Sequence, residues 1–268
     1  MRIHFILTED YVFHAVFLEE MIKAFPGEVI GVSILHDTPG KEGLRGQLRH
    51  FLDIYGVWGM ALLGGQRVML RLLDRMGLGY RGYRCSLKSA AKAHGILSFE
   101  PGRVNASDHL AALRRIEPDI IVSSCGQIFK QELLALPRIA CINRHTALLP
   151  QYRGVTPVIH MLAHGETQLG VTIHTMELAI DAGRIVAQRS FAVTARDTLY
   201  STYCKGFQAS IAAAREAIDL LRDRQVDSFR LNPVDEGKYF GAPHAAEGRA
   251  MRRNHPVVTL RDILGRYA

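Results

Sequence analysis

The sequence predicts an α/β fold: a mostly parallel, Rossmann-like sheet with helices on both faces, a helical insertion and a short C-terminal appendage. Three observations lead there. Short β-rich apolar runs alternate with helix-patterned segments in the first half of the chain. Residues 43–84 interrupt that alternation with a long helical pattern, and after residue 225 the chain becomes turn-rich, as in NPVDEGKYFGAPHAAEG.

RIHFIL (2–7) and VIGVSIL (29–35) read as strands. Between them, YVFHAVFLEEMIKAF places Phe13, Val16, Phe17, Met21 and Phe25 on one helical face, which makes a βαβ start. LAALRRIEPDIIVSSCG repeats the pattern, with a helix to about Ile116, a Glu-Pro break and a buried strand IIVSS. QELLAL is a short helix and IACIN the next strand. Residues 155–168 look helical, GVTIHTM is a strand, and RIVAQRSFAV forms one or two more. Residues 198–222 form a long amphipathic helix capped by Thr198. The expected division is a catalytic domain over 1–209, with the insertion at about 43–84, and an appendage over 210–268.

Composition narrows the class. Of 268 residues, 48% are hydrophobic and 22% charged, which suits a folded soluble domain rather than a disordered chain. Cys85, Cys125, Cys141 and Cys204 are scattered without a CxxC pair, as expected of thiols in a reducing cytoplasm. The N-terminus reaches Glu9 and Asp10 before a secretory leader could develop, and no apolar run is long enough to span a bilayer. Thirty-three basic against 26 acidic residues give a net charge of +7, which favours an anionic partner.

The insertion carries the single tryptophan, Trp58, and arginines four apart at 67, 71 and 75, beside a stripe of Val68, Leu72 and Met76. As an amphipathic helix pair it packs on the sheet or on a sister subunit and leaves the arginine face to solvent. It could instead face an anionic acceptor or a membrane interface. The turn after the first strand, TEDYVFH, has neither the glycines of a dinucleotide fingerprint nor a Walker loop, so no pyrophosphate is expected there.

Candidate chemistry gathers in CINRHTALLPQYRG, residues 141–154. Asn143 and His145 are two apart at a strand end, so their side chains point the same way, and open α/β sheets gather ligands at that edge. Asp181 follows in a loop. An amide, an imidazole and a carboxylate can together handle an acyl carbonyl through oxyanion donation, proton movement and orientation of the ring. The same residues also suit a plain strand end and an ordinary turn. His160 and His164 lack the intervening glutamate of a zinc helix, and no metal is expected. No G-x-S-x-G elbow supplies a covalent nucleophile.

NRHTALLPQYRG, GVTIHTM and DAGRIVAQ, in this order, resemble the folate-dependent formyltransferase family, which includes methionyl-tRNA, glycinamide ribonucleotide and sugar N-formyltransferases. The likeness is close over about residues 115–195 and loose in the N-terminal sheet. It implies 10-formyltetrahydrofolate as formyl donor and Asn143, His145 and Asp181 as catalytic residues. It also implies a turn at Leu149-Pro150, cis in some relatives, and a pterin pocket between Ile128, Phe129 and the loop bearing Leu178, Ile180 and Asp181. Ala147 replaces the family's usual serine and Thr146 a frequent proline. TEDYVFH lacks the glycine-rich phosphate loop of the purine branch, and YRG is closer to the tRNA and sugar branches. The segment after Ala209 is short for the tRNA enzyme's C-terminal domain.

The expected function is therefore N-formyl transfer to a small-molecule amine: an amino sugar, a sugar nucleotide or a natural-product amine. A tRNA acceptor stands behind it, and a homo-oligomer is open. The competing readings are a 10-formyltetrahydrofolate hydrolase, whose usual N-terminal regulatory domain has no room before residue 1, and a non-catalytic partner-binding protein.

Overall fold

A computed structural model describes residues 1–36 and 43–264. β1 (Ile3–Thr8), α1 (His14–Ala24) and β2 (Val29–Leu35) open the chain, followed by the insertion helix α2 (Gly43–Arg75). Next come α3 (Leu87–Ala93), β3 (Leu97–Phe99), α4 (Ser107–Ile116), β4 (Ile120–Ser124), α5 (Gln131–Leu134) and β5 (Ala140–His145). β6 (Arg153–Gly154), α6 (Pro157–Ala163), β7 (Gln168–Thr175), β8 (Ile185–Ala192) and α7 (Leu199–Asp223) lead to β9 (Tyr239–Phe240), α8 (Ala245–Asn254) and α9 (Leu260–Leu264).

Seven strands form one sheet in the order β3-β2-β1-β4-β5-β7-β8, in which only β7 runs antiparallel to its neighbours. The strand order reverses between β1 and β4, and ligands of open α/β sheets bind outside the carboxyl ends at such a reversal. Alternation along each strand divides the core. Ile3, Phe5, Leu7, Ile120, Val122 and Ile142 pack under α1, α3 and α7. Ile6, Ile121 and Cys141 pack under α4 and α5. With a period of two, Asn143 and His145 therefore share the Cys141 face, while Arg144 points to the side of α1 and α7.

The 155–168 segment is helical only over α6: Pro157 takes the first helical position, the chain turns out at His164-Gly165 (Gly165 φ 78°), and Gln168 already belongs to β7. RIVAQRSFAV is the single strand β8.

α2 is two helices that meet at Gly56, whose backbone (φ 67°, ψ 173°) breaks the hydrogen-bond ladder. Arg252 of α8 donates Nη1 to the carbonyls of Asp53 and Ile54, which the break leaves without helical partners. The packed face carries Ile54, Gln66 and Leu70, all buried. Gln66 also donates Nε2 to the Tyr200 hydroxyl at 2.7 Å. Val68, Leu72 and Met76 are exposed, as are the arginines beside them, so the stripe singled out in the sequence does not pack within the chain. The helix is apolar on nearly every side, so periodicity alone could not choose its inner face.

Residues after 225 fold back onto the sheet end. β9 pairs in parallel with β6, and Met251, Val257 and Ile263 share a core with α6 and the start of α7. Helix α7 runs unbroken through residue 209. At its start the Thr198 hydroxyl accepts from the Ser201 N–H, and the Ser201 hydroxyl accepts from the Thr198 N–H, each at 2.9 Å. Thr198→Ala removes one cap and leaves the half-buried Ser201 N–H without its partner. It should cost about 1–2 kcal/mol in a urea melt, with an unchanged m-value.

Candidate active site

The antiparallel pairing of β5 with β7 sets Asn143 opposite His174 and His145 opposite Thr172. Asn143 Nδ2 lies 3.3 Å from His174 Nε2, and His174 Nδ1 lies 2.8 Å from the Thr175 carbonyl. A carbonyl can only accept, so Nδ1 carries the proton, and Nε2 of the neutral ring accepts from the amide. The second amide N–H is left for an oxygen in the cavity that Asn143 lines.

His145 is held by the same logic. Its Nε2 donates to the Tyr152 carbonyl at 2.8 Å, which leaves Nδ1 facing Asp181 Oδ2 at 3.6 Å. The other oxygen of Asp181 lies 3.5 Å from His174 Nε2, so one carboxylate addresses both imidazoles. Asp181 sits in the left-handed region (φ 50°) and is pinned twice. The Gly154 N–H donates to Oδ2 at 2.8 Å, and Asn232 Nδ2 donates to the Asp181 carbonyl at 2.7 Å.

Two glycines make this closeness possible. A Cβ on Gly154 would lie 2.1 Å from the Phe240 carbonyl, and one on Gly183 would lie 1.8 Å from the Thr175 carbonyl. Any side chain at either position would push away a segment that holds Asp181.

Burial lowers the pKa of His145 below its ordinary value, and the neighbouring His174 lowers it further, against the opposing charge of Asp181. Burial works to raise the Asp181 carboxyl, but the two histidines beside it and the Gly154 N–H outweigh it, and the net shift is downward. Near neutral pH the pair is thus a carboxylate beside a neutral imidazole with an open Nδ1.

A cavity of about 490 Å³ joins these residues to the pocket expected from the sequence. Ile128, Leu178 and Ile180 stand exposed around it, while Phe129 is buried in the core beneath and lines it from below. All the site residues read from the sequence therefore meet in one place. The Leu149-Pro150 peptide is cis. A larger cavity of about 740 Å³, between α1, α7 and the end of the insertion, contains none of them.

The far wall of the site holds groups the sequence reading missed. Arg144 lines the cavity from the other face of β5, bonded to Ser124 and Ser210 at 3.1 Å each and lying 4.0 Å over the Phe207 ring. Burial lowers its pKa to about 10, even though the charge of Asp10 acts the other way. Asp10 itself accepts at Oδ1 from the N–H groups of Val12, Phe13 and His14, at 2.9, 2.9 and 3.1 Å. That is the amide cradle where a helix N-terminus would take a phosphate, and here the chain's own carboxylate fills it. Among the described residues no group of three or more His, Cys, Asp or Glu is placed to hold a metal ion.

An amide donor braced by one histidine thus lies beside a carboxylate–imidazole pair at the end of an α/β sheet, an arrangement chemically able to handle an acyl carbonyl. The chain belongs to the formyl transferase family, whose model matches residues 81–218. It is 36% identical over 159 residues to a methionyl-tRNA formyltransferase of Geobacter metallireducens, covering 59% of this chain and 50% of the relative. It is 38% identical over 169 residues to one of Thermotoga maritima, covering 62% and 53%. The chain thus spans about half the length of the curated relatives it matches. The fold is shared with an N-formyltransferase from Helicobacter canadensis solved with folinic acid and dTDP-3-aminofucose, at TM-score 0.60 and 17% identity over 95% of this chain and 80% of that one. It is shared too with a phosphoribosylglycinamide formyltransferase from Anaplasma phagocytophilum, at TM-score 0.58 and 18% identity over 90% and 98%.

Asp181→Asn removes the charge that raises the His145 pKa, so the imidazole should titrate lower still in a histidine NMR titration. The depressed Asp181 pKa also stabilises the fold above the usual carboxylate range, and that contribution is lost as pH falls through the native value. The variant's stability should accordingly depend less on pH on the acid side. An unmoved His145 midpoint would separate the two groups electrostatically.

Proposed function

We propose that the site transfers the formyl group of 10-formyltetrahydrofolate to the primary amine of a small-molecule acceptor. The observation that carries this reading is the Asn143 amide, fixed by His174 with one N–H to spare, beside the Asp181–His145 pair. Exposed Ile128, Leu178 and Ile180 around the cavity supply the apolar walls that a pterin needs.

The donor brings an activated formyl carbon. As the amine nitrogen bonds to that carbon, Asn143 Nδ2 donates to the developing oxyanion. When the bond from carbon to the folate nitrogen breaks, one proton has passed from the amine to the leaving nitrogen. Asp181 and the open Nδ1 of His145 are the acceptors placed to carry it. His174 contributes by holding the amide, and His145 Nε2 donates to the Tyr152 carbonyl.

The acceptor side of the cavity is formed by Thr8, His14, Ser124, Arg144 and Tyr203, a polar wall that suits a compact amine. With Asp10 in the amide cradle of α1, a phosphate-bearing acceptor would have to bind elsewhere. The relatives named as methionyl-tRNA formyltransferases favour a second reading, with the amino group of a charged tRNA as acceptor.

The test follows tetrahydrofolate release over a panel of amino sugars, sugar nucleotides and a methionyl initiator tRNA. An amine-dependent rate is expected, and Asn143→Ala should lower kcat about 10²- to 10³-fold, the worth of one oxyanion donor. Formate release at the same rate without any amine would make the protein a hydrolase. Near-normal turnover in both Asn143→Ala and His145→Ala would sink the mechanism.

A further inference from the structure

The insertion presents an apolar face that nothing in the described chain covers. Over its second half, Val57, Trp58, Val68, Leu72 and Met76 fall within an arc of about 100° and are all exposed, Trp58 at 82%. At 1.5 Å per residue this face is about 28 Å long. The other side of the same helix, with Gln66 and Leu70, is the one that packs. A continuous apolar strip of this length on an exposed helix marks an interaction surface rather than scattered surface hydrophobics.

Charge says what fits it. Residues 43–84 hold seven arginines, no lysine and two aspartates, a net +5 out of +7 for the whole chain. Arg67, Arg71 and Arg75 flank the apolar arc in a row. The first two lie with Cζ 5.7 and 4.9 Å from the Tyr11 ring, so they are held along the edge. One of the two aspartates, Asp74, is engaged at both oxygens by the Ser86 hydroxyl.

We propose that α2 docks the protein on an anionic phospholipid membrane, lying in the interface with its apolar arc among the acyl chains and its arginines at the headgroups. No helix among the described residues is long and apolar enough to cross a membrane, so the contact is peripheral. A second copy fits less well, because face-to-face pairing brings two arginine rows together with few carboxylates to meet them. Nucleic acid also fits less well, because the broad part of the face is aliphatic and offers phosphates no donor. The inference does not depend on the acceptor or on the formyl-transfer reading.

Trp58 is the only tryptophan, so its fluorescence reports on this face alone. The full chain is mixed with vesicles of phosphatidylcholine, or of phosphatidylcholine with phosphatidylglycerol, and followed by Trp58 emission and flotation. With the anionic vesicles, emission should shift to the blue and the protein should float; salt should weaken both, and neutral vesicles should give little of either. Arg75→Ser should weaken binding about fivefold, the worth of one arginine near an anionic surface. The double variant Val68→Glu with Leu72→Glu should abolish flotation. Both positions are exposed, so its thermal melt should match the parent and verify folding. Unshifted emission with all protein left unbound would overturn the proposal. So would a blue shift without vesicles accompanied by a doubled mass, or a shift produced by tRNA instead of lipid.

Discussion

The site depends on one pairing, the antiparallel contact of β5 with β7, the one reversed strand of the sheet. Opposed strands bring side chains on one face within direct contact, and here they set the Asn143 amide against the His174 ring. The same strand secures the loop that follows β5. The Thr172 hydroxyl donates to the Ala147 carbonyl at 2.7 Å and accepts from the Leu149 N–H at 3.0 Å, just before the cis proline step. A slip of one residue in this register would turn Asn143 and His145 into the α1–α7 core and bring Arg144 to their place. Pairing along the whole buried length of β7 makes such a slip costly.

Two charge systems sit back to back across β5. On one side the Asp181 carboxylate accepts from the Gly154 N–H and faces two imidazoles, and burial keeps His145 neutral. On the other, Arg144 is half-buried between two hydroxyls and an aromatic face, joined through Ser124 to His14 and Asp10. A buried cation with a distant counter-charge is costly unless something shares it. Here hydroxyl dipoles, the Phe207 ring and the Asp10–His14 pair divide that role. Asp10 serves twice, because the carboxylate that balances Arg144 also caps α1 and closes the helix end to phosphate.

Much of this was legible in the sequence. Short β-rich apolar runs marked β1, β2, β4, β5 and β7, and Thr198 marked the start of α7, because those signals are local. The spacing of Asn143 and His145 on one strand also implied a shared face. His174 was not legible as a partner, since only the pairing register shows that it faces Asn143, and register is a long-range property. The Tyr152-Arg153-Gly154 turn looked like a branch marker. Its physical work, a carbonyl for His145 and an N–H for Asp181, lies in backbone atoms that any residue type carries. The apolar stripe on α2 could be seen but not oriented, because a helix apolar on most sides has no single inward face.

The least predictable part was the segment after residue 225, whose composition suggests a small turn-rich appendage. It acts instead as a brace. Asn232 holds the Asp181 carbonyl, β9 lies so close to β6 that position 154 must lack a side chain, and the Tyr152 ring stacks on Phe240 at 5.0 Å. Farther on, Arg252 closes the break in α2, and Val257 packs against Gly59. One segment thus contacts both the catalytic loop and the insertion. Its turns act through backbone hydrogen bonds and close approaches, which composition does not record, while Met251, Val257 and Ile263 anchor it in the core with α6. The insertion's inner face is set by this segment together with Tyr200 of α7, and its apolar outer face is left exposed.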